Sequence, residues 1–133
     1  MRRDFPLLEP DQECLDASST TWETVKNGGE FWLLLHDFAM PAGYQISKGS
    51  VAIKIEPGYP NAQLDMAYFH PALARADGKP IPCADAVVQL DGRPWQRWSR
   101  HRTQVNPWVP GEDSLETHLI LVRDWLVREF ERR

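Results

Sequence analysis

Two stretches of the chain carry residues able to do covalent chemistry. The first is "YFHPALARADGKPIPCADAVV", Tyr68 to Val88, where a His-Pro pair and a Gly turn precede a single cysteine, Cys83. A cysteine attacks an acyl carbon as its thiolate, so a nucleophilic Cys83 asks for surroundings that favour ionisation over a free thiol's pKa of about 8.5. Lys79 is near in sequence, and Arg97, Arg100 and Arg102 are candidates to be near in space, whereas Asp85 opposes ionisation. The other reading of Cys83 is a small, half-buried hydrophobe in a proline-rich loop. The second stretch is "RPWQRWSRHRTQ", Arg93 to Gln104. Here His101 suits a general base near neutral pH, and Ser99 is a hydroxyl it could activate as an alternative nucleophile. The same stretch interleaves Trp95 and Trp98 with four arginines and no acid. That pattern can bind single-stranded nucleic acid by stacking and phosphate contact, but the chain's net charge of −4 works against it. A third reading has the tryptophans anchoring a surface segment and the arginines pairing with the chain's own carboxylates.

Other chemistries lack their residues. His36, His70, His101, His118 and the two cysteines show no metal-ligand spacing, and no zinc-deaminase signature is present. There is no phosphate-binding Gly loop, nucleophile elbow or dinucleotide fingerprint, so neither metal nor organic cofactor is expected. Cys14, in "EPDQECLDA", reads as a packed residue of a short helix with Pro10 in its first turn. With two cysteines and no CxxC pair, both thiols are expected free in a reducing compartment. No apolar run reaches membrane-spanning length and the N-terminus has no signal-peptide core, so a cytoplasmic protein without a membrane partner is expected.

These residues need elements to position them. The 133-residue length suits one domain, and 42% apolar with 26% charged residues is ordinary for a globular chain. Six tryptophans should mostly be core or interface anchors. Two β-rich runs flank Asn27-Gly28-Gly29, a hairpin signal. "SVAIKIEP" alternates as a half-buried strand, and "LDMAYF" reads as a fourth. His70 to Pro110 is rich in proline with little periodicity and reads as irregular chain. Leu115, Leu119, Val122, Leu126 and Phe130 follow at helical spacing, with Asp113 and Glu116 as a capping box. The sum is an α+β architecture: short N-terminal helix, four-stranded antiparallel meander, irregular segment, and a C-terminal helix packed on the sheet.

That order resembles the ubiquitin-conjugating enzyme fold, and so do the local residues. "GYPNAQLDMAYFHP" is similar to the family's Tyr-Pro step, strand and His-Pro turn. Gly78 leads to Cys83 as the family's Gly turn leads to its catalytic cysteine, and Trp95 and Trp98 lie downstream as a tryptophan does there. The blocks "WETV", "PAGY", "GYP", "LDM", "WQRWSRH" and "WVPGEDSLETHL" look like those of a divergent bacterial branch, the prokaryotic ubiquitin-conjugating-enzyme-like family E. The resemblance implies a single UBC-like domain over residues 1–133. It implies an enzyme that takes a ubiquitin-like protein from a ThiF-type adenylating activating enzyme and carries it to a target. The carrier would be a thioester on Cys83, or an oxyester on Ser99, with His101 assisting. Arg97, Trp98, Arg100 and Arg102 would contact the partner, and His70 and Pro71 would form a structural turn beside the site. Nucleotide chemistry would belong to the activating enzyme, and antiphage defence is the implied setting. One departure bears on this: Ala72 stands where standard members carry the asparagine of His-Pro-Asn, whose side chain helps stabilise the oxyanion. That substitution points to the alternative, an inactive UBC-like module that holds the ubiquitin-like protein or the activating enzyme, whereas the retained cysteine points to the carrier.

Overall fold

The hairpin signal is met directly. In the computed structural model, which describes residues 1–18 and 20–131, Gly28 and Gly29 take φ of 60° and 87°. This mirror-image turn matches the twist of a hairpin, and glycine adopts it without a Cβ clash. It joins β1 (Thr21–Asn27) to β2 (Glu30–Ala39), and β3 (Lys48–Ile55) and β4 (Ala67–His70) follow, each antiparallel to the one before. The fourth strand begins at Ala67 rather than Leu64 because Met66 takes a left-handed φ of 58°, which interrupts extended backbone.

The segment from His70 to Pro110 is only partly irregular, which corrects the four-strand expectation. β5 (Val87–Leu90) and β6 (Arg93–Trp98) form a second hairpin, and β6 pairs with β4. The sheet therefore has six strands, in the order β1-β2-β3-β4-β6-β5. The turn is Asp91-Gly92, both at positive φ, 54° and 73°, a strong two-residue hairpin signal masked by the prolines around it. Pro94 is tolerated because it lies beyond the rungs that join β6 to β4, which run from Gln96 to Trp98.

Strand alternation sends side chains to two cores. Leu33, Leu35, Val51, Ile53, Phe69 and Trp98 pack on the side of the helices. There α1 (Glu9–Asp16), with Pro10 in its first turn, buries Leu15, and α2 (Leu115–Arg128) buries the predicted stripe of Leu115, Leu119, Val122 and Leu126. Each such side chain contributes about 1.5–3 kcal/mol of hydrophobic stabilisation. Phe130 lies past the end of α2 and packs edge-on against Tyr44, centroids 4.9 Å apart. On the opposite face Val25, Trp32, Leu34, Ala52, Tyr68, Leu90 and Trp95 form the second core. It is closed because the sheet curls: Asp91, at the tip of the β5–β6 hairpin, accepts hydrogen bonds from Arg2 at 2.6 and 2.8 Å and donates its amide to Asn27 of β1.

The cap of α2 also differs from expectation. Ser114 and Thr117 form the capping box, with the Ser114 amide donating to Thr117 Oγ1 at 2.9 Å. Asp113 is otherwise engaged: it accepts the Val109 amide at 2.7 Å and a guanidinium hydrogen of Arg102 at 3.2 Å. Among the described residues, no helix is long and apolar enough to cross a membrane.

Candidate active site

Cys83 is exposed. Its φ is 53°, a left-handed conformation that costs a residue bearing a Cβ about 1–2 kcal/mol. The loop that presents it is tied down along its length. Gln45 clamps the beginning, donating from Nε2 to the Ala72 carbonyl at 2.6 Å and accepting the Ala74 amide at 2.8 Å. Gln96, on β6, pairs with both the amide and the carbonyl of Leu73, at 2.9 and 3.1 Å. Asp77 accepts from Arg75 at 2.6 Å and from the Lys79 amide at 3.0 Å. Those bonds, Arg75 foremost, hold its carboxyl at a pKa of about 2. At the far end the Ser99 amide donates to the Cys83 carbonyl at 3.0 Å and the Arg97 amide to the Ala86 carbonyl at 2.9 Å. Cys83 therefore sits where the chain runs into β5, alongside the exit from β6.

The charges around the loop converge on one carboxylate. Glu129, just past α2 and 2% exposed, lies 3.1 Å from a guanidinium nitrogen of Arg75 and 3.6 Å from one of Arg100. Arg100 also donates to the Pro82 carbonyl at 2.9 Å, placing a cation against the residue that precedes Cys83. A buried carboxylate persists only with such compensation. Glu129 thus joins an arginine before the Gly78 turn to an arginine behind Cys83.

The residues expected to meet a partner divide. Trp98 is fully buried, with its ring 5.3 Å from Phe69 and its Nε1 donating to Gln96, so it anchors β6 and offers no surface. Arg102 binds Asp113 and lies 5.1 Å over Trp108, fixing the approach to α2. Arg100 is engaged as described. Arg97 is half-buried on β6, in register with Tyr68. Trp95 is 2% exposed and Trp98 0%. Neither ring can stack on a base, which removes the argument for a single-stranded nucleic-acid platform.

Ser99 and His101 leave β6 in succession but do not form a pair. His101 is exposed, and its Nδ1 lies 2.9 Å from both carboxylate oxygens of Asp65. Among the described residues, no hydrogen bond joins the Ser99 hydroxyl to His101. A carboxylate oxygen accepts, so Nδ1 donates to Asp65 and Nε2 is the ring nitrogen that this pairing leaves for other contacts. Asp65 immediately precedes the run into β4, and β4 lies antiparallel to β6, so the topology sets Asp65 beside His101. Cys83, Ser99 and the Asp65–His101 pair consequently share one end of the β4-β6-β5 unit. Asp65, Glu129, Gln45 and Gln96 were not singled out from sequence. Asp65 and Gln96 stand inside the "LDM" and "WQRWSRH" blocks and Gln45 directly follows "PAGY", but their partners lie far along the chain, so the blocks do not reveal their roles.

His70 ends β4 at its other terminus. Its Nδ1 donates to the Pro94 carbonyl at 2.8 Å and its ring lies 5.5 Å from Trp95, so the His70-Pro71 turn is held by β6. With Pro71 and Ala72 it lines one side of an open groove of about 370 Å³, whose lining also includes Ala84, Asp85 and Val87. The groove starts one residue past Cys83. Cys14 is different in kind: it is half-buried, and burial followed by the charge of Glu116 pushes its thiol up. Among the described residues, no group of three or more His, Cys, Asp or Glu is arranged to hold a metal ion.

A family model described as prokaryotic E2 family E matches residues 7–129. Two helices with a curled antiparallel sheet are consistent with the UBC-like fold of that family. No curated protein and no solved structure matches the chain.

Proposed function

The chain belongs to the prokaryotic E2 family E, and from that premise we propose that it carries a ubiquitin-like protein as a thioester on Cys83. Family membership gives a ubiquitin-conjugating-like role in general, with a ubiquitin-like protein and an activating enzyme as partners. In the proposed step the Cys83 thiolate attacks the carbonyl carbon of the thioester on the activating enzyme. A new C–S bond forms, the old one breaks, and the activating enzyme leaves as its own thiolate. A ThiF-type partner performs the adenylation that precedes this. A target amine or hydroxyl then bonds to the acyl carbon of the Cys83 thioester, His101 Nε2 takes the proton it releases, the C–S bond breaks and Cys83 leaves as its thiolate.

The observation that carries this reading is the presentation of Cys83: exposed, in a left-handed conformation, on a loop anchored at both ends, with Arg100 bonded to the preceding carbonyl. Surplus strain at an exposed, tightly held residue is characteristic of functional positions. The groove beside it suits the extended C-terminal tail of the modifier.

One observation favours a second reading. Ala72 lines that groove with a methyl group where standard members place an amide donor. A chain that only holds its partners has no oxyanion to stabilise. Mixing the protein with its activating enzyme, ATP and the ubiquitin-like protein, followed by electrophoresis without reductant, separates the two. The carrier yields a thiol-sensitive adduct that Cys83→Ala removes. A complex that forms with no adduct is the result expected of a binding module.

A further inference from the structure

Glu23, His36 and Ser50 come from three adjacent strands and form a continuous hydrogen-bonded chain far from Cys83 in the sheet order. Glu23 Oε2 lies 2.7 Å from His36 Nε2, and His36 Nδ1 lies 3.0 Å from Ser50 Oγ. All three lie on the face of the second core, since Glu23 is two residues from Val25, His36 two from Leu34, and Ser50 two from Ala52. The regular ladder between β2 and β3 breaks between Leu35 and Phe38, with Asp37 at φ 56°. Such bulges re-aim side chains and recur beside active sites, and here the bulge contains His36.

Glu23 fixes one end of this chain as an acceptor. Glu23 accepts from Arg2 Nε at 2.9 Å and from the Arg2 amide at 3.2 Å. Hydrogen bonding by Arg2, and secondarily by His36, holds its carboxyl at a pKa of about 2. It is therefore a carboxylate and can only accept, so His36 Nε2 carries the hydrogen. In the tautomer that keeps its hydrogen on Nε2, Nδ1 presents a lone pair and the Ser50 hydroxyl donates to it. Glu23 is 12% exposed and His36 24%, and Ser50 is half-buried like His36, so the hydroxyl end of the chain is not sealed in the core. Carboxylate, imidazole and hydroxyl in this sequence of hydrogen bonds are the parts of an activated serine, recognised by geometry and roles rather than by chain order.

We propose that Ser50 is a nucleophile, activated by His36 and oriented through Glu23, that reacts with small carboxylic esters. Ser50 Oγ bonds to the carbonyl carbon of the ester and its proton passes to His36 Nδ1. The bond from that carbon to the alcohol oxygen breaks, and the alcohol departs with the proton from His36. Water then bonds to the acyl carbon and gives its proton to His36. The bond to Ser50 Oγ breaks, the acid is released, and Ser50 regains its hydrogen. Nothing in this proposal rests on the reading of Cys83.

The test uses the full chain carrying Cys83→Ala, so that its thiol contributes nothing, with a fluorophosphonate probe and p-nitrophenyl acetate as substrates. With the probe, an Oγ–P bond forms, the P–F bond breaks, and fluoride leaves with the proton. A single phosphonyl adduct mapping to Ser50 is expected, abolished by Ser50→Ala. His36→Gln should slow labelling and ester hydrolysis roughly 100-fold or more, the share typical of a general base. Glu23→Gln, which retains an amide oxygen to accept from His36, should slow both roughly tenfold and serves as the second variant. Circular dichroism confirms that each variant is folded. Folded protein that leaves Ser50 unlabelled overturns the proposal, as does a folded His36 or Glu23 variant that reacts at the parent rate.

Discussion

The backbone amide of Ser99 donates to the carbonyl of Cys83 at 3.0 Å, so the two residues that sequence offers as rival nucleophiles are neighbours across an irregular extension of the β5–β6 hairpin. The link uses only main-chain atoms. Ser99→Ala should therefore leave stability within about 0.5 kcal/mol of the parent, whereas Ser99→Pro, which deletes the donor, should cost about 1–3 kcal/mol. Urea unfolding of the two variants measures the difference.

Cys83 itself supplies a second prediction. Its φ of 53° is one that glycine adopts freely. Cys83→Gly should relieve strain worth about 1 kcal/mol, partly offset by the greater freedom of glycine in the unfolded chain. The variant should be at least as stable as the parent in thermal unfolding while losing any thiol-dependent adduct. A clear loss of stability would mean that the cysteine side chain packs against something that matters to the fold.

Glu129 should be among the least replaceable charges. Glu129→Gln removes the carboxylate shared by Arg75 and Arg100. Breaking a buried pair by neutralising one member is strongly destabilising, and the melting midpoint should fall by roughly 10 °C. Hydrogen exchange should rise through residues 75–83 more than in β1 or β2, because Arg75 and Arg100 grip that loop from opposite sides.

These contacts also mark how far sequence alone reaches. The stripe of Leu115, Leu119, Val122 and Leu126 needs only the period of one helix, and Gly28-Gly29 needs only one turn, so both were legible. The β5–β6 hairpin was not, although Asp91-Gly92 announces it. Val87 to Leu90 is an edge strand with Val87 60% exposed, so its apolar pattern is weak, and Pro94 argued against a strand. Cys83, Ser99 and His101 could be named from residue type and order. Asp65, 36 residues from His101, and Glu129, 54 from Arg75, could not, because what joins them is the pairing of β4 with β6 and the docking of α2.

Stability should fall in acid in two stages. His118 is buried, and desolvation lowers its pKa while its Nε2 donates to the Met66 carbonyl at 2.9 Å. A histidine kept neutral in the fold contributes stability that is complete above its unfolded pKa of about 6.5 and declines as pH falls below that value. Glu23 follows. With a folded pKa of about 2, lowered chiefly by Arg2, its contribution is complete above the unfolded glutamate value and is lost as pH falls from about 4.5 toward 2. Allowing for the exposed half of Arg2, that second stage is worth on the order of 1–2 kcal/mol. Chemical unfolding across pH 2–8 should show both stages in the parent, with Glu23→Gln reducing the lower one, to which Asp77 also contributes, and leaving the upper one in place.

Whether Cys83 holds the acyl group is decided by mapping the bond. The protein is loaded with the ubiquitin-like protein by its activating enzyme and ATP, digested without reductant, and the joined peptide is located by mass spectrometry. A carrier on Cys83 yields a thioester there that dithiothreitol releases, absent from Cys83→Ala and intact in Ser99→Ala. A reductant-resistant, hydroxylamine-sensitive ester on Ser99 that persists in Cys83→Ala would contradict it.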